Sequence, residues 1–211
     1  MTAPLTNAST DIRIAAIDIG SNSVRQIVAD VSPSGQIRVV DEMKAMPRLG
    51  EGLEATGALS PTAIDAAVTA VQRMVTLADQ LGAIRIEIVA TSAVRDAANS
   101  TDFTGQVLTR TGRRVRILSG EEEALLCYRS ALAHFDLGAG RTVVMDIGGG
   151  SLELADIKGA RIGKRASLPL GGLALIDAAQ LPPQEKNAIS YRGKALLLLV
   201  AKLQELVKHD G

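Results

Sequence analysis

Apolar residues recur along this chain in two rhythms. Over residues 13–18 and again over 26–31, Ile, Val and Ala crowd into short runs that read as β-strands. Between them Gly20, Ser21, Asn22 and Ser23 have the composition of a tight turn, so the two runs form a strand, turn, strand unit. Gly35 marks another turn and residues 37–43 read as a third strand, which makes the opening an antiparallel meander. Residues 48–57 are rich in Gly and are expected to be irregular. The rhythm then changes: Ser60 offers an N-cap with Pro61 at the first helical position, and Ile64, Ala67, Val68, Val71, Val75 and Leu77 recur at helical spacing as far as residue 81. Gly82 suits the C-cap.

Residues 84–90 read as a buried strand, 103–112 as a helix and 115–118 as a strand, so α and β elements alternate and parallel pairing is expected. Ser119 opens a helix that runs to residue 135. Residues 142–145 and 152–157 then repeat the opening pattern around Gly148, Gly149, Gly150 and Ser151. AIDIGSNSV and VMDIGGGSLEL are two versions of one device, placed about a domain length apart. Two related lobes facing each other, joined near residues 130–140, would enclose a cleft. In it each turn could offer backbone N–H groups and Ser or Asn side chains to one anion from opposite sides. A Leu-rich helix is expected over 194–208.

Composition narrows the function. With 211 residues, 46% of them hydrophobic and 22% charged, the chain reads as soluble and globular, one large domain or two smaller ones. Aromatics supply only 2% and Trp is absent, so the core is built from Ala, Val, Leu and Ile, and stacking platforms for nucleic acid are not expected. Basic and acidic residues balance at 23 each, so any pull on an anionic substrate is local. Cys127, the only cysteine, excludes an intramolecular disulfide and a cysteine-rich zinc site, and its expected place is the core. Residues 1–11 lack the pattern of a secretory signal and read as a frayed tail, and no run approaches the roughly 20 apolar residues of a membrane span. A cytoplasmic protein with no membrane partner is the expectation.

A phosphate chain needs many hydrogen-bond donors close together, and Gly lets the backbone approach because no side chain intervenes. Each donor to a charged oxygen contributes about 1.5–3 kcal/mol. Asp18 and Asp146 sit at corresponding strand ends before the glycines, where a carboxylate could hold Mg2+ while phosphate oxygens complete the shell; Glu153 could face the same cavity. The alternative is that these acids cap turns or stay solvated. Neither Gly-rich turn leads into a helix, which rules out the P-loop and dinucleotide fingerprints. At the 119–123 segment Ser119 and Glu122 fit a capping box and Glu121 suits the positive end of the helix, leaving Glu123 for chemistry. His134 and His209 have no metal-ligand partners at useful spacing, and Arg113, Arg114 and Arg116 read as a solvated edge.

DIGSNSVR, RLGEGLEATGALS, ATSAVRDAAN, ILSGEEEALLCY and DIGGGSLEL occur in the order and spacing of the exopolyphosphatase and guanosine pentaphosphate phosphatase family, which the chain resembles over residues 14–173. The resemblance implies an α/β fold of the actin-like ATPase (ribonuclease H-like) superfold. Residues 12–135 would be the first lobe and 136–211 part of the second. It implies that Gly20, Ser21, Asn22 and Ser23 are one phosphate loop and Gly148, Gly149, Gly150 and Ser151 the other. Glu123 would be the general base, Asp146 and Glu153 acids near a divalent metal, and Arg95 an arginine facing the phosphate chain. The implied reaction is Mg2+-dependent release of terminal phosphate from inorganic polyphosphate or guanosine pentaphosphate. A kinase or ATPase of the same superfold, or a phosphate-binding protein without turnover, are the competing readings. Family members continue well past this length, so the second lobe is expected to be partial, with open edges that a homodimer would cover.

Overall fold

A computed structural model of the chain describes residues 11–136, 140–158 and 161–173. The N-terminal tail, the helix expected over 194–208 and His209 lie outside the described residues.

The opening meander is present, with longer strands than the apolar runs alone marked. Strands β1 (Ile12–Ile19), β2 (Val24–Val31) and β3 (Ile37–Ala45) pair antiparallel in sequence order, with Val40 of β3 the extra residue where the register shifts opposite Val28 and Ala29. The Gly-rich stretch that follows contains a one-turn helix, α1 (Leu53–Thr56), between left-handed Gly52 and Gly57. Helix α2 (Pro61–Gln80) begins as its sequence dictates: the Ser60 side chain accepts the Ala63 N–H, and Pro61 occupies the first turn. Such a cap is worth about 1 kcal/mol. Gly82, at φ 77, takes the left-handed position just beyond the helix.

Strand β4 (Arg85–Ala90) returns beside β1 in parallel, followed by α3 (Ser92–Asp96), α4 (Ser100–Thr111) and β5 (Arg116–Ile117), which adds parallel to β4. The five strands lie in the order β3-β2-β1-β4-β5. Alternation decides the buried face: Ala15, Ile17 and Ile19 of β1 and Val24 and Val28 of β2 turn inward. There the Ile64, Ala67, Val68, Val71, Met74 stripe of α2 covers most of them, and Phe103 and Val107 of α4 complete the core.

Helix α5 (Gly120–His134) crosses to a second sheet, in which β6 (Arg141–Ile147), β7 (Leu152–Lys158) and β8 (Arg161–Leu168) form another antiparallel meander. Tyr128 and Leu125 of α5 pack on Val144, Ala155, Ile157 and Ile162. β8 carries Gly163, Lys164 and Arg165 in its middle and has no apolar run to announce it. Among the described residues β6 ends this sheet, with Val143, Met145 and Ile147 exposed along it.

One ionic cluster ties the first sheet together. Asp30, almost inaccessible on β2, accepts Arg13 Nε at 2.7 Å and Nη2 at 3.0 Å and pairs with Arg38 of β3; Arg13 Nη1 also donates to the Leu81 carbonyl after α2. These arginines hold the Asp30 carboxyl below the usual range, chiefly through the Arg13 hydrogen bond. A depressed carboxylate pKa contributes stability above its unfolded value, lost as pH falls through the folded one. Asp30→Asn is therefore expected to lower the denaturation midpoint at pH 7, with the deficit shrinking as the pH falls from the ordinary carboxylate value through the lower, folded one. A constant deficit across an acid titration of stability would show that charge is not the cause.

Candidate active site between the two hairpin turns

The repeated sequence device folds twice into one geometry. In the first hairpin the last strand pair is Ile19 with Val24, and the Gly20 N–H donates to the Ser23 carbonyl at 3.0 Å. In the second the last pair is Ile147 with Leu152, and the Gly148 N–H donates to the Ser151 carbonyl at 2.8 Å. Asp18 stands across from Arg25, and Asp146, at the matching position, stands across from Glu153.

The turns abut. A Cβ on Gly149 would lie 3.0 Å from both the Cβ and the backbone N of Asn22, and one on Gly150 would strike Ser21 Oγ and come within 2.6 Å of Ser92 Oγ. Only glycine allows this approach. Ser21 Oγ and Ser92 Oγ share a hydrogen bond of 3.0 Å, which ties the first turn to the start of α3.

A cleft of about 600 Å3 opens beside this contact. Gly20, Ser21, Asn22 and Ser23 line one side and Gly148, Gly149 and Ser151 the other; Asp18, Glu123, Asp146 and Glu153 complete its wall. Gly150 is not on this wall but packs behind it against Ser21 and Ser92. Of the residues singled out from the sequence, only Arg95 also lies off the wall. Its Nη1 donates to Glu123 Oε2 at 3.0 Å and to the Leu118 carbonyl at 3.1 Å, so it faces the carboxylate rather than the open space expected for it. Arg95 lies in the last turn of α3, within reach of Leu118 just after β5, and that placement sets its reach.

Glu123 is positioned by the cap of α5. Ser119 accepts the Glu122 N–H while the Glu122 carboxylate accepts the Ser119 N–H, which completes the capping box and leaves Glu123 to project from the first turn. Gly120 brings this turn flush against β8, since a Cβ there would stand 2.5 Å from Ser167 Cβ. Ser167 Oγ in turn donates to Glu153 Oε1 at 2.9 Å.

The site crowds negative charge. Burial pushes the Glu123 carboxyl above its ordinary value; Arg95 opposes the shift, while Glu153 and Asp18 add to it. Asp18 is likewise raised by burial and by Asp146, against Arg25. Cys127 is half-buried rather than a core residue; its thiol donates to Asp146 Oδ2 at 3.2 Å and is pushed up to about 12, first by burial and then by that carboxylate, so it stays a neutral donor.

Arg25, Thr91 and Ser92 line the cleft or its floor without having been singled out. Seven-residue spacing between Asp18 and Arg25, on one face of a hairpin, was a signal that could have found Arg25. Among the described residues no three His, Cys, Asp or Glu side chains converge on a dedicated metal cage. Burial and Asp146 raise the Asp18 carboxyl beside the two Gly-rich turns, and carboxylates so placed could hold a hard cation that takes one or two of them.

Paired antiparallel meanders, a mixed first sheet extended in parallel by β4 and β5, and turns meeting over a cleft give the chain the actin-like ATPase type of fold, mixed α/β with a five-stranded first sheet. The profile of the Ppx/GppA phosphatase family matches residues 27–206, and the chain belongs to that family. It is 34% identical over 160 residues to exopolyphosphatase 1 of Mycobacterium leprae, an alignment that covers 76% of this chain and 47% of that protein. The chain thus spans about half the length of such relatives. Among solved structures, the Ppx/GppA family member of Aquifex aeolicus superposes with TM-score 0.70 at 27% identity, covering 92% of this chain and 63% of the other. An exopolyphosphatase from Cytophaga hutchinsonii superposes with TM-score 0.81 at 22% identity, covering 93% and 64%, and speaks to the fold alone.

Proposed function

We propose that the protein acts as a cytoplasmic exopolyphosphatase, releasing the terminal phosphate of inorganic polyphosphate by hydrolysis. The observation that carries this reading is a half-buried carboxylate, Glu123, set on the wall of a cleft between two abutting phosphate-type turns. The turns would seat terminal phosphates on backbone N–H groups and on Ser21, Asn22, Ser23 and Ser151, with Arg25 neutralising charge at the rim. Asp146 and Glu153, with Asp18, would hold Mg2+, which when bound supplies further neutralisation of the phosphate oxygens. Glu123 would orient a water in line with the scissile P–O bond and take its proton as the new P–O bond forms and the shortened chain departs. Burial, which raises its pKa, makes it a better base near neutral pH. Arg95 holds Glu123 in place rather than gripping substrate.

Guanosine pentaphosphate is a second substrate of the same chemistry, favoured by the family alone. Phosphate release measured in Mg2+ from polyphosphate and from guanosine pentaphosphate separates the two. Phosphate transfer from ATP to a sugar would replace this reading with a kinase, and calorimetric binding without turnover would replace it with a sensor. A homodimer belongs to the same proposal: the exposed Val143, Met145 and Ile147 along the open β6 edge support it. Sedimentation equilibrium is expected to give twice the chain mass, and a stable monomer at micromolar concentration would remove the dimer.

A further inference from the structure

A second pair of related sequences packs against the turns. Pro47-Arg48-Leu49-Gly50 follows β3, and Pro169-Leu170-Gly171-Gly172 follows β8, so each comes just after the third strand of its meander. Each leucine is buried, Leu49 in the core under α2 and Leu170 among Leu152, Leu154 and Ala166. Each segment also donates backbone hydrogen bonds to consecutive carbonyls of the turn in its own lobe. Gly50 N–H reaches Ser21 O at 2.8 Å and Arg48 N–H reaches Asn22 O at 3.2 Å. Gly172 N–H reaches Gly148 O at 3.0 Å and Leu173 N–H reaches Gly149 O at 2.7 Å.

We propose that these two segments are clips that aim the phosphate turns, with Gly50 and Gly171 as positioning residues of the site. A trans peptide points its C=O and N–H in opposite directions. Tying the carbonyls of Ser21 and Asn22 to the clip therefore sends the amides of Asn22 and Ser23 away from it, and the same holds for Gly149 and Gly150 in the second turn. An untied carbonyl facing a phosphate would repel it, so the clips occupy these acceptors and leave the amides free for the anion.

Close approach sets the residue type. Gly50 and Gly171 are not among the glycines with positive φ, so they are needed for space and not for backbone freedom. A Cβ on Gly50 would stand 2.9 Å from Ser21 Cβ and 3.4 Å from Ala93 Cβ; one on Gly171 would collide with the backbone of Gly149 and Gly150. Arg48, at φ 51 the one non-glycine in the left-handed region among the described residues, accepts that conformation where its amide meets Asn22.

The inference rests on the phosphate reading above, and its test separates the two. Amide hydrogen exchange on the unmodified protein is expected to show protection at Gly50 and Leu173; exchange there at the rate of an open chain would overturn the clips whatever the variants do. Calorimetry with inorganic tripolyphosphate in Mg2+ is expected to show Gly50→Ala and Gly171→Ala weakened by about tenfold or more, each turn losing one or more charge-assisted bonds. Gly105→Ala, with open space around it on α4, is expected to bind like the unmodified protein. Folded Gly50→Ala and Gly171→Ala proteins, with unchanged melting and unchanged affinity, would also overturn the proposal. An unmodified protein that binds no tripolyphosphate overturns the phosphate reading and the aiming role with it, whereas lost amide protection overturns the clips alone.

Discussion

Replacing Glu123 by Gln is expected to lower phosphate release from polyphosphate by about 10²- to 10⁴-fold, the range a positioned general base contributes. The amide keeps the shape and a hydrogen-bond acceptor for Arg95 Nη1 but cannot take a proton from water. Stability should move the other way or not at all. A carboxyl whose folded pKa is raised is stabilising, relative to its ionised form, at low pH; that contribution is lost as pH rises from the ordinary carboxylate value to the raised one. At pH 8 the ionised Glu123 is thus a burden that Gln does not carry, and the variant is expected to melt no lower than the parent. The pH profile carries the same sign. Activity should rise along an acid limb placed above the ordinary carboxylate range by burial, with Glu153 and Asp18 contributing and Arg95 opposing. Arg95→Ala removes the opposing cation, so that limb should shift to higher pH. Undiminished release by Glu123→Gln, or a limb displaced to lower pH in Arg95→Ala, would take Glu123 out of its assigned role.

Phe103→Ala is expected to destabilise the first lobe by about 3–5 kcal/mol, the cost of deleting a fully buried aromatic ring and leaving a cavity. Phe103 is the largest of the fully inaccessible side chains in the described residues and sits in the same cluster as Ala93, Val94 and Ala97. Domains are stable by only about 5–15 kcal/mol in total, so the loss is a large share. It should also reach the site, because Ala93 and Val94 anchor α3, which presents Ser92 to the first turn and Arg95 to Glu123. Denaturant titration measures the first effect, and phosphate release at a temperature where the variant is still folded measures the second. A change under about 1 kcal/mol would mean that the ring is not packed as described.

Much of this was legible because it is local. Ser60-Pro61 and the Ile64 to Val75 stripe specify α2 within one helix length, and Ser119 with Glu122 specifies where α5 begins, which is what frees Glu123 for the cleft. Other elements were read less well or not at all. The strand read over 115–118 shortens to the two residues of β5, held by its parallel neighbour β4, and α3 has no side-chain cap and rests on the core beneath it. β8 alternates too weakly to be read and is selected by pairing with β7.

The two Asp-Ile-Gly turns, the hairpins they close, the α2 and α5 helices and the identity of the leftover acid were determined by the sequence itself. Each depends on residues a few positions apart, where dihedral preference, capping and alternation act. Tertiary structure alone decided which groups meet. Arg95, expected to face the phosphate chain, turns to Glu123 because α3 ends beside β5, and Arg25 becomes the cation on the cleft wall. The Gly50 and Gly171 segments pack against turns distant in sequence from them, and Gly149 comes against Asn22 across the two hairpins. Such contacts join residues tens of positions apart, and their geometry follows from how two sheets pack, which no local pattern encodes.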